Sequence, residues 1–344
     1  MKEIKIEKNS SGGRLDRLLF KYLNAAPAGF IYKMLRKKNI VLNDKKASGS
    51  EILKEGDVIK LYLADETIEK FKEDKAPAVS ASPSAKEIKP LIVYEDENII
   101  ALNKPAGMLV QKARPEDVSL NDLLLAYLGT SETFTPGVAN RLDRNTAGLV
   151  LAGKSLSAGR ILNEAIKNRS LKKTYLALVC AEVTEGAYLK GFILKDEKTN
   201  RSQAVNALPE SGKALKTPEG AKLIETAYRP LASNGRFSLL EVDLITGRSH
   251  QIRAQLSAAK IPVAGDYKYG NKEINDKIKS SYGLKAQFLC AYKTEFTAME
   301  GMLSYLNGSC IEAPLPKTFA DVLKGENLWL PGLQEACGAL PLKR

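Results

Sequence analysis

Apolar residues recur at helical spacing near the start of the chain and at alternate positions soon after. Residues 14–23 and 29–38 each set apolar side chains three and four apart, which predicts two helices. The second gathers Lys33, Arg36, Lys37 and Lys38 at its C-terminal end, where cations suit the helix dipole. Residues 40–44 read as a strand entering a turn, and 53–61 as a turn followed by an alternating strand. Beyond residue 88 the pattern changes. Two apolar strands flank the acidic turn Glu95-Asp96-Glu97, and Leu149-Val150-Leu151 and residues 172–179 read as further strands. Residues 120–128 and 155–167 read as amphipathic helices, with a short helix expected at 318–323.

Between these zones, residues 76–86 are small, Pro-containing and unpatterned. The expected organisation is therefore a small α/β module over 1–64, a flexible linker over 65–88, an α+β domain over 89–325 and an irregular tail over 326–344. No internal repeat is found.

Composition narrows the function. Of 344 residues 44% are apolar, enough for a sizeable core. Lys and Arg total 52 against 40 acids, a formal charge of +12, which points to a polyanionic partner. No apolar run reaches bilayer length, and the opening Met1-Lys2-Glu3-Ile4-Lys5 has no signal-peptide pattern. A soluble cytoplasmic protein that binds nucleic acid rather than membrane is expected. Cys180, Cys290, Cys310 and Cys337 have no ligand spacing, and His250 is the only histidine, so no metal site is expected. Phosphate-cradling and dinucleotide-binding glycine motifs are absent.

The most informative run is residues 139–154. Asn140-Arg141-Leu142-Asp143-Arg144 sets a carboxylate between two guanidinium groups, followed by Thr146-Ala147-Gly148 and an apolar strand. Neighbouring positive charge favours an ionised Asp, the form a nucleophile needs. A surface Asp–Arg pair holding a turn would look the same. Three further segments follow in order: Lys172-Lys173-Thr174-Tyr175, Gly247-Arg248-Ser249-His250-Gln251-Ile252-Arg253, and Pro262-Val263-Ala264-Gly265-Asp266-Tyr267-Lys268-Tyr269-Gly270.

Together with Lys104-Pro105-Ala106-Gly107 upstream, these runs closely resemble the signature of the RluA-type pseudouridine synthases. The resemblance implies a mixed, mainly antiparallel catalytic sheet. It implies Asp143 as nucleophile towards a uridine, Tyr175 as an aromatic stacked on the target base, and Arg253 as the partner of the catalytic carboxylate. Read alone, Tyr175 would pass for a core strand aromatic. Arg141 would help displace the base, while Arg144, Lys104, His250 and Gln251 would shape the site or contact RNA. Residues 12–63 resemble the alpha-L RNA-binding module, the type found in ribosomal protein S-four. Lys33, Arg36, Lys37 and Lys38 would then meet phosphates.

The chemistry so implied is isomerisation of uridine to pseudouridine without cofactor or metal. The expected substrate is structured RNA, with ribosomal RNA of the large subunit favoured over transfer RNA, and the expected state a monomer. Asn140, Asn145 and Gln255 depart from the family pattern, where His, Asp and His are common. Those departures are expected to bear on substrate choice. Two rival readings remain. One is a non-catalytic RNA-binding protein on the same fold. The other is a hydrolase using Ser249 and His250, disfavoured because adjacent strand residues point to opposite faces.

Overall fold

A computed structural model describes residues 1–72, 84–196, 201–206 and 219–333. The periodic segments at the start of the chain form the expected elements. Strand β1 (Lys2–Lys5) leads to helices α1 (Leu15–Tyr22) and α2 (Ala28–Arg36), then β2 (Ile40–Leu42), β3 (Lys45–Lys46) and β4 (Val58–Leu61). Asn43 and Asp44 join β2 to β3 with φ of 50° and 60°, the left-handed pair a tight hairpin turn requires. The sheet order is β1-β4-β2-β3, and Leu15, Leu19, Ile31, Leu35 and Ile59 fill the core beneath it.

One boundary moves. Helix α3 (Asp65–Phe71) lies where a linker was expected, and its Ile68 joins the same core. Asp65 and Glu66 occupy its first turn, which suits the dipole there. The first unit therefore extends to Phe71, and residues 73–83 of the expected linker lie outside the described residues. Ile88 is fully buried in the larger unit.

The larger unit is built on β5 (Ile92–Glu95), β6 (Ile99–Lys104), β7 (Gly137–Val138), β8 (Ala147–Gly153), β9 (Leu171–Val179), β10 (Ala187–Asp196), β11 (Arg201–Asn206), β12 (Lys222–Ser233), β13 (Ser238–Leu244), β14 (Leu289–Phe296) and β15 (Cys310–Glu312). These form one sheet in the order β11-β10-β12-β13-β9-β14-β8-β6-β5, with β15 beside β14 and β7 beside β8. Among the described residues only β14 and β8 run parallel, so the sheet is mainly antiparallel, as expected. Helices α4 (Leu120–Leu128), α5 (Leu156–Lys167), α6 (Gln251–Ala258), α7 (Lys272–Tyr282) and α8 (Lys317–Gly325) cover it. Leu162 and Ala158 of α5 pack on Leu149 and Leu151 of β8, as the apolar stripe of residues 155–167 requires.

The tail also differs from expectation. Leu328 is buried against Phe319 and Leu323, with Trp329, Leu330 and Leu333 alongside. The catalytic unit thus runs at least to residue 333, because these apolar side chains complete its core. Residues 334–344 lie outside the described part.

The two units touch through residues 8–13 and through Lys2, Lys21 and Lys72, which reach Glu132 and Thr135. Ser157 donates to the Ser11 carbonyl at 2.9 Å, Arg160 to the Gly12 carbonyl at 2.7 Å, and Lys8 pairs with Glu97 at 2.5 Å.

Candidate active site

Two glycine-dependent turns bring the site together. The loop carrying Asp143 runs from β7 into β8, where Gly148 has φ +109°. A Cβ there would sit 2.3 Å from the Ala291 carbonyl oxygen, so only glycine lets β8 approach β14. The register then aligns Gly148, Ala291 and Tyr175 across three strands. The second turn is Gly265, with φ +75°, where a Cβ would lie 2.3 Å from the Ala286 carbonyl oxygen. It delivers Asp266 beneath helix α6.

The central feature is a chain of charges. Arg253, in the first turn of α6, donates through Nη1 to Asp143 Oδ2 at 2.8 Å. Its Nε and Nη2 donate to the two oxygens of Asp266 at 2.7 and 3.0 Å. Asp266 is 1% exposed. A bidentate carboxylate fixes the planar fork and leaves one edge for Asp143. Burial works against the Arg253 charge, but the bonds and charges of Asp266 and Asp143 outweigh it and raise its pKa. The guanidinium also lies 5.0 Å from the Tyr269 ring centre. Among the described residues Asp143 Oδ1 has no hydrogen-bond partner.

The pair is the one the resemblance implied. The partner of Asp143 is 110 residues away, not an adjacent arginine. Arg141 is exposed and lines the cleft, while Arg144 donates Nε to the Gly107 carbonyl at 3.0 Å.

Tyr175 is 5% exposed and lines the cleft beside Asp143. Burial raises its phenol pKa, and the Asp143 charge raises it further, so the hydroxyl keeps its proton. His250 enters α6 at φ 57° and bonds Tyr269 through Nδ1 at 2.8 Å. Its Nε2 is 3.9 Å from Asp143 Oδ2. Burial lowers its pKa despite the Asp143 charge, which keeps the ring neutral near pH 7. Ser249 and His250 lie in the turn and cap of α6 rather than on a strand, so the face argument used against a hydrolase does not apply. The His250 ring nitrogens instead face Tyr269 and Asp143.

Lys104 and Gln251, expected to shape the site or contact RNA, are both buried among protein groups. Lys104 is wholly buried and donates to the carbonyls of Pro105, Met108 and Arg144 at 3.0, 2.9 and 3.0 Å. It ties the Lys-Pro turn to the Asp143 loop, and burial pushes its pKa down to about 8. Gln251 is 2% exposed. Its amide bonds Thr246, Arg248 N–H, the Glu225 carbonyl and Thr226, which holds the loop before α6.

The departures from the family pattern also take structural roles. The Asn140 amide donates to the Leu149 carbonyl at 3.1 Å and accepts from Leu151 N–H at 2.8 Å, imitating a paired strand at the edge of β8. Gln255 is fully buried and bonds Thr226 at 2.6 Å and the Leu189 carbonyl at 3.2 Å. Asn145 is exposed.

Around Asp143 opens a cleft of about 1190 Å³. Eight Lys or Arg residues line it against Asp143 and Asp243. Such a surface attracts a polyanion, and a buried aromatic beside an ionisable carboxylate suits a base drawn out of its stack. The sequence pattern pointed to no role for Arg169, Lys173, Tyr188 or Arg248, all of which line the cleft. Lys173 had a signal, since it lies two residues before Tyr175 and so on the same strand face. Lys33, Arg36, Lys37 and Lys38 are exposed at the end of α2, apart from this cleft.

Known proteins resemble this chain in sequence and fold. Residues 98–258 match the RNA pseudouridylate synthase family. Ribosomal large subunit pseudouridine synthase C of Vibrio parahaemolyticus is 30% identical over 293 residues, covering 85% of this chain and 87% of the relative. The protein of the same name from Rickettsia felis is 31% identical over 315 residues, covering 90% of this chain and 95% of the relative. The solved structure titled Human RNA Pseudouridylate Synthase Domain Containing 4 shares the fold, with a TM-score of 0.58 and 23% identity over 72% of this chain and 97% of its own. With its signature runs in order and relatives of this similarity along nearly its whole length, the chain belongs to the RluA-type RNA pseudouridine synthases, enzymes that isomerise uridine in RNA.

Proposed function

We propose that this enzyme converts specific uridines of large-subunit ribosomal RNA to pseudouridine, with Asp143 as nucleophile. The observation that carries the reading is the Asp143–Arg253–Asp266 chain at the floor of a cation-lined cleft. The names of the Vibrio and Rickettsia relatives support the choice of RNA.

The target nucleotide leaves its stack at a cost of roughly a few kcal/mol. Arg141, exposed at the cleft, helps to displace it, and Tyr175 receives its face. Asp143 then attacks the sugar carbon that bears the base; by the elimination route it instead takes a proton from the neighbouring sugar carbon and returns it when the base rejoins. The carbon–nitrogen bond breaks and the uracil leaves with the electron pair. The base turns, and its C5 bonds the same sugar carbon as the carboxylate departs. C5 then loses its proton near Tyr175, and the ring nitrogen gains one. Atoms and electrons balance without oxidant or group carrier. Arg253 aims Asp143 through their 2.8 Å bond. Buried Leu289 and Tyr175 help exclude water that could intercept the intermediate.

The first unit acts as an alpha-L RNA-binding module, with Lys33, Arg36, Lys37 and Lys38 on phosphates. Their exposure at the end of α2 supports this. The protein works as a cytoplasmic monomer. Among the described residues no helix is long and apolar enough to cross a membrane.

The test is to incubate the protein with unmodified ribosomal and transfer RNA and map new pseudouridines by carbodiimide-blocked reverse transcription. Stops on large-subunit RNA that Asp143→Asn abolishes are expected. Stops only on transfer RNA would overturn the substrate, and stops that persist in the variant would overturn the nucleophile.

A further inference from the structure

The cleft continues past the ends of β9 and β13 to a second cluster, built from Arg169, Tyr188, Lys190 and Glu225. Glu225 is 9% exposed, and its backbone is fixed by Thr246 and Gln251 of the loop that leads into α6. Its two oxygens lie 3.6 Å from Arg169 and 3.6 Å from Lys190. The Tyr188 side chain lies beside this carboxylate. Yet the Tyr188 ring is 57% exposed, and its cross-strand neighbour is the small Ala227. An open aromatic face on a cleft wall is a stacking platform.

Arg169 adds an independent observation. It follows the α5 cap with φ 63°, while Ser170 N–H bonds the Ala165 carbonyl at 2.8 Å. That closure favours glycine or asparagine at the residue Arg169 occupies. An arginine there strains the backbone, and a half-exposed ion pair at 3.6 Å contributes little in return. Lys38 and Lys260 close α2 and α6 in the same way, so the closure fixes the Arg169 backbone on the cleft wall, and its guanidinium supplies the charge there. The cluster carries two cations and one carboxylate, so it has positive charge to offer.

We propose that Tyr188 and Arg169, beside Glu225, form a second nucleotide subsite that takes a single-stranded nucleotide flanking the target uridine, its base on Tyr188 and its phosphate on Arg169. The inference rests on the reading of the cleft as the RNA site. Stacking and one phosphate contact carry no base code, so the subsite sets affinity and register rather than sequence.

The test is binding of a fluorescein-labelled oligouridylate of about twelve nucleotides, within the range such grooves cover, followed by anisotropy across a salt series. Asp143→Asn binds as wild type does. Arg169→Gly weakens binding about tenfold and lowers the salt slope by about one, while its melting temperature rises because the strain is relieved. Tyr188→Ala weakens binding about tenfold, and Tyr188→Phe restores it because the ring remains. With substrate RNA, the Arg169→Gly and Tyr188→Ala variants raise KM and leave kcat unchanged. Wild-type binding with unaltered affinity in Arg169→Gly and Tyr188→Ala would overturn the subsite alone. No binding by wild type or Asp143→Asn would overturn the RNA reading of the cleft as well.

Discussion

At the scale of single residues, activity depends on how buried charges are matched. Asp266 is the anchor of Arg253, and Arg253 is the partner of Asp143. Asp266→Ala would strand a buried guanidinium and cost about 3–5 kcal/mol. Urea denaturation should show that loss, and kcat should fall even under conditions where the variant stays folded. Lys104 makes a second case. Burial pushes its pKa from 10.5 to about 8. Between those values the unfolded chain holds a proton that the folded chain has released, so stability from this group rises with pH. The advantage of wild type over Lys104→Met should grow above about pH 8, by at most roughly 1.4 kcal/mol per pH unit. A pH series of denaturation curves for both proteins checks this; an advantage that shrinks over that range would contradict it. Asp143, Tyr175 and Arg253 were legible because each stands inside a distinctive run. The burial of Lys104 and Gln251 was not, because a polar residue in a motif reads alike whether it meets substrate or carbonyls. The same ambiguity hid the strained Arg169, whose left-handed φ leaves no mark in an arginine's letter.

At the scale of elements, periodicity located α1, α2, α4, α5 and the strands around Asp143 well. Helix α3 was missed beside a stretch rich in small residues, although Ile68 and Phe71 stand three apart behind Asp65 and Glu66. Helix α6 was hidden because it is nearly all buried, so its polar Gln251, Arg253 and Gln255 show no amphipathic stripe. Asn140 shows how a departure from a motif can be structural. Its amide supplies the two bonds a strand backbone would supply to β8. Asn140→Ala should lose about 1–3 kcal/mol through the unpaired β8 groups, with faster hydrogen exchange at Leu151 N–H. Unchanged exchange there would rule out that role.

At the scale of the whole molecule, the orientation of the first unit depends on close approach at Gly12 and Gly13. A Cβ at Gly12 would lie 2.3 Å from Ser157 Oγ, and one at Gly13 would lie 2.6 Å from the Leu156 side chain. Gly13→Val should therefore separate the units. Small-angle scattering should show a larger radius of gyration, and affinity for ribosomal RNA should fall while turnover of a short RNA carrying the target site holds. An unchanged radius would mean the contact is not what sets the arrangement. The two-unit layout was readable from the composition change near residue 76. The docking was not, since it rests on glycines, a serine hydroxyl, backbone carbonyls and lysines meeting Glu97, Glu132 and Thr135, none of which has a pattern of its own.

The proposal that Asp143 drives the isomerisation meets its sharpest test in the loss of the hydrogen on C5. Ribosomal RNA carrying tritium at uridine C5 should release it with wild-type enzyme in proportion to the sites converted. Asp143→Asn should bind that RNA with unchanged affinity and release none above background. Tritium release by the variant at a rate near that of wild type would show that another group drives the reaction.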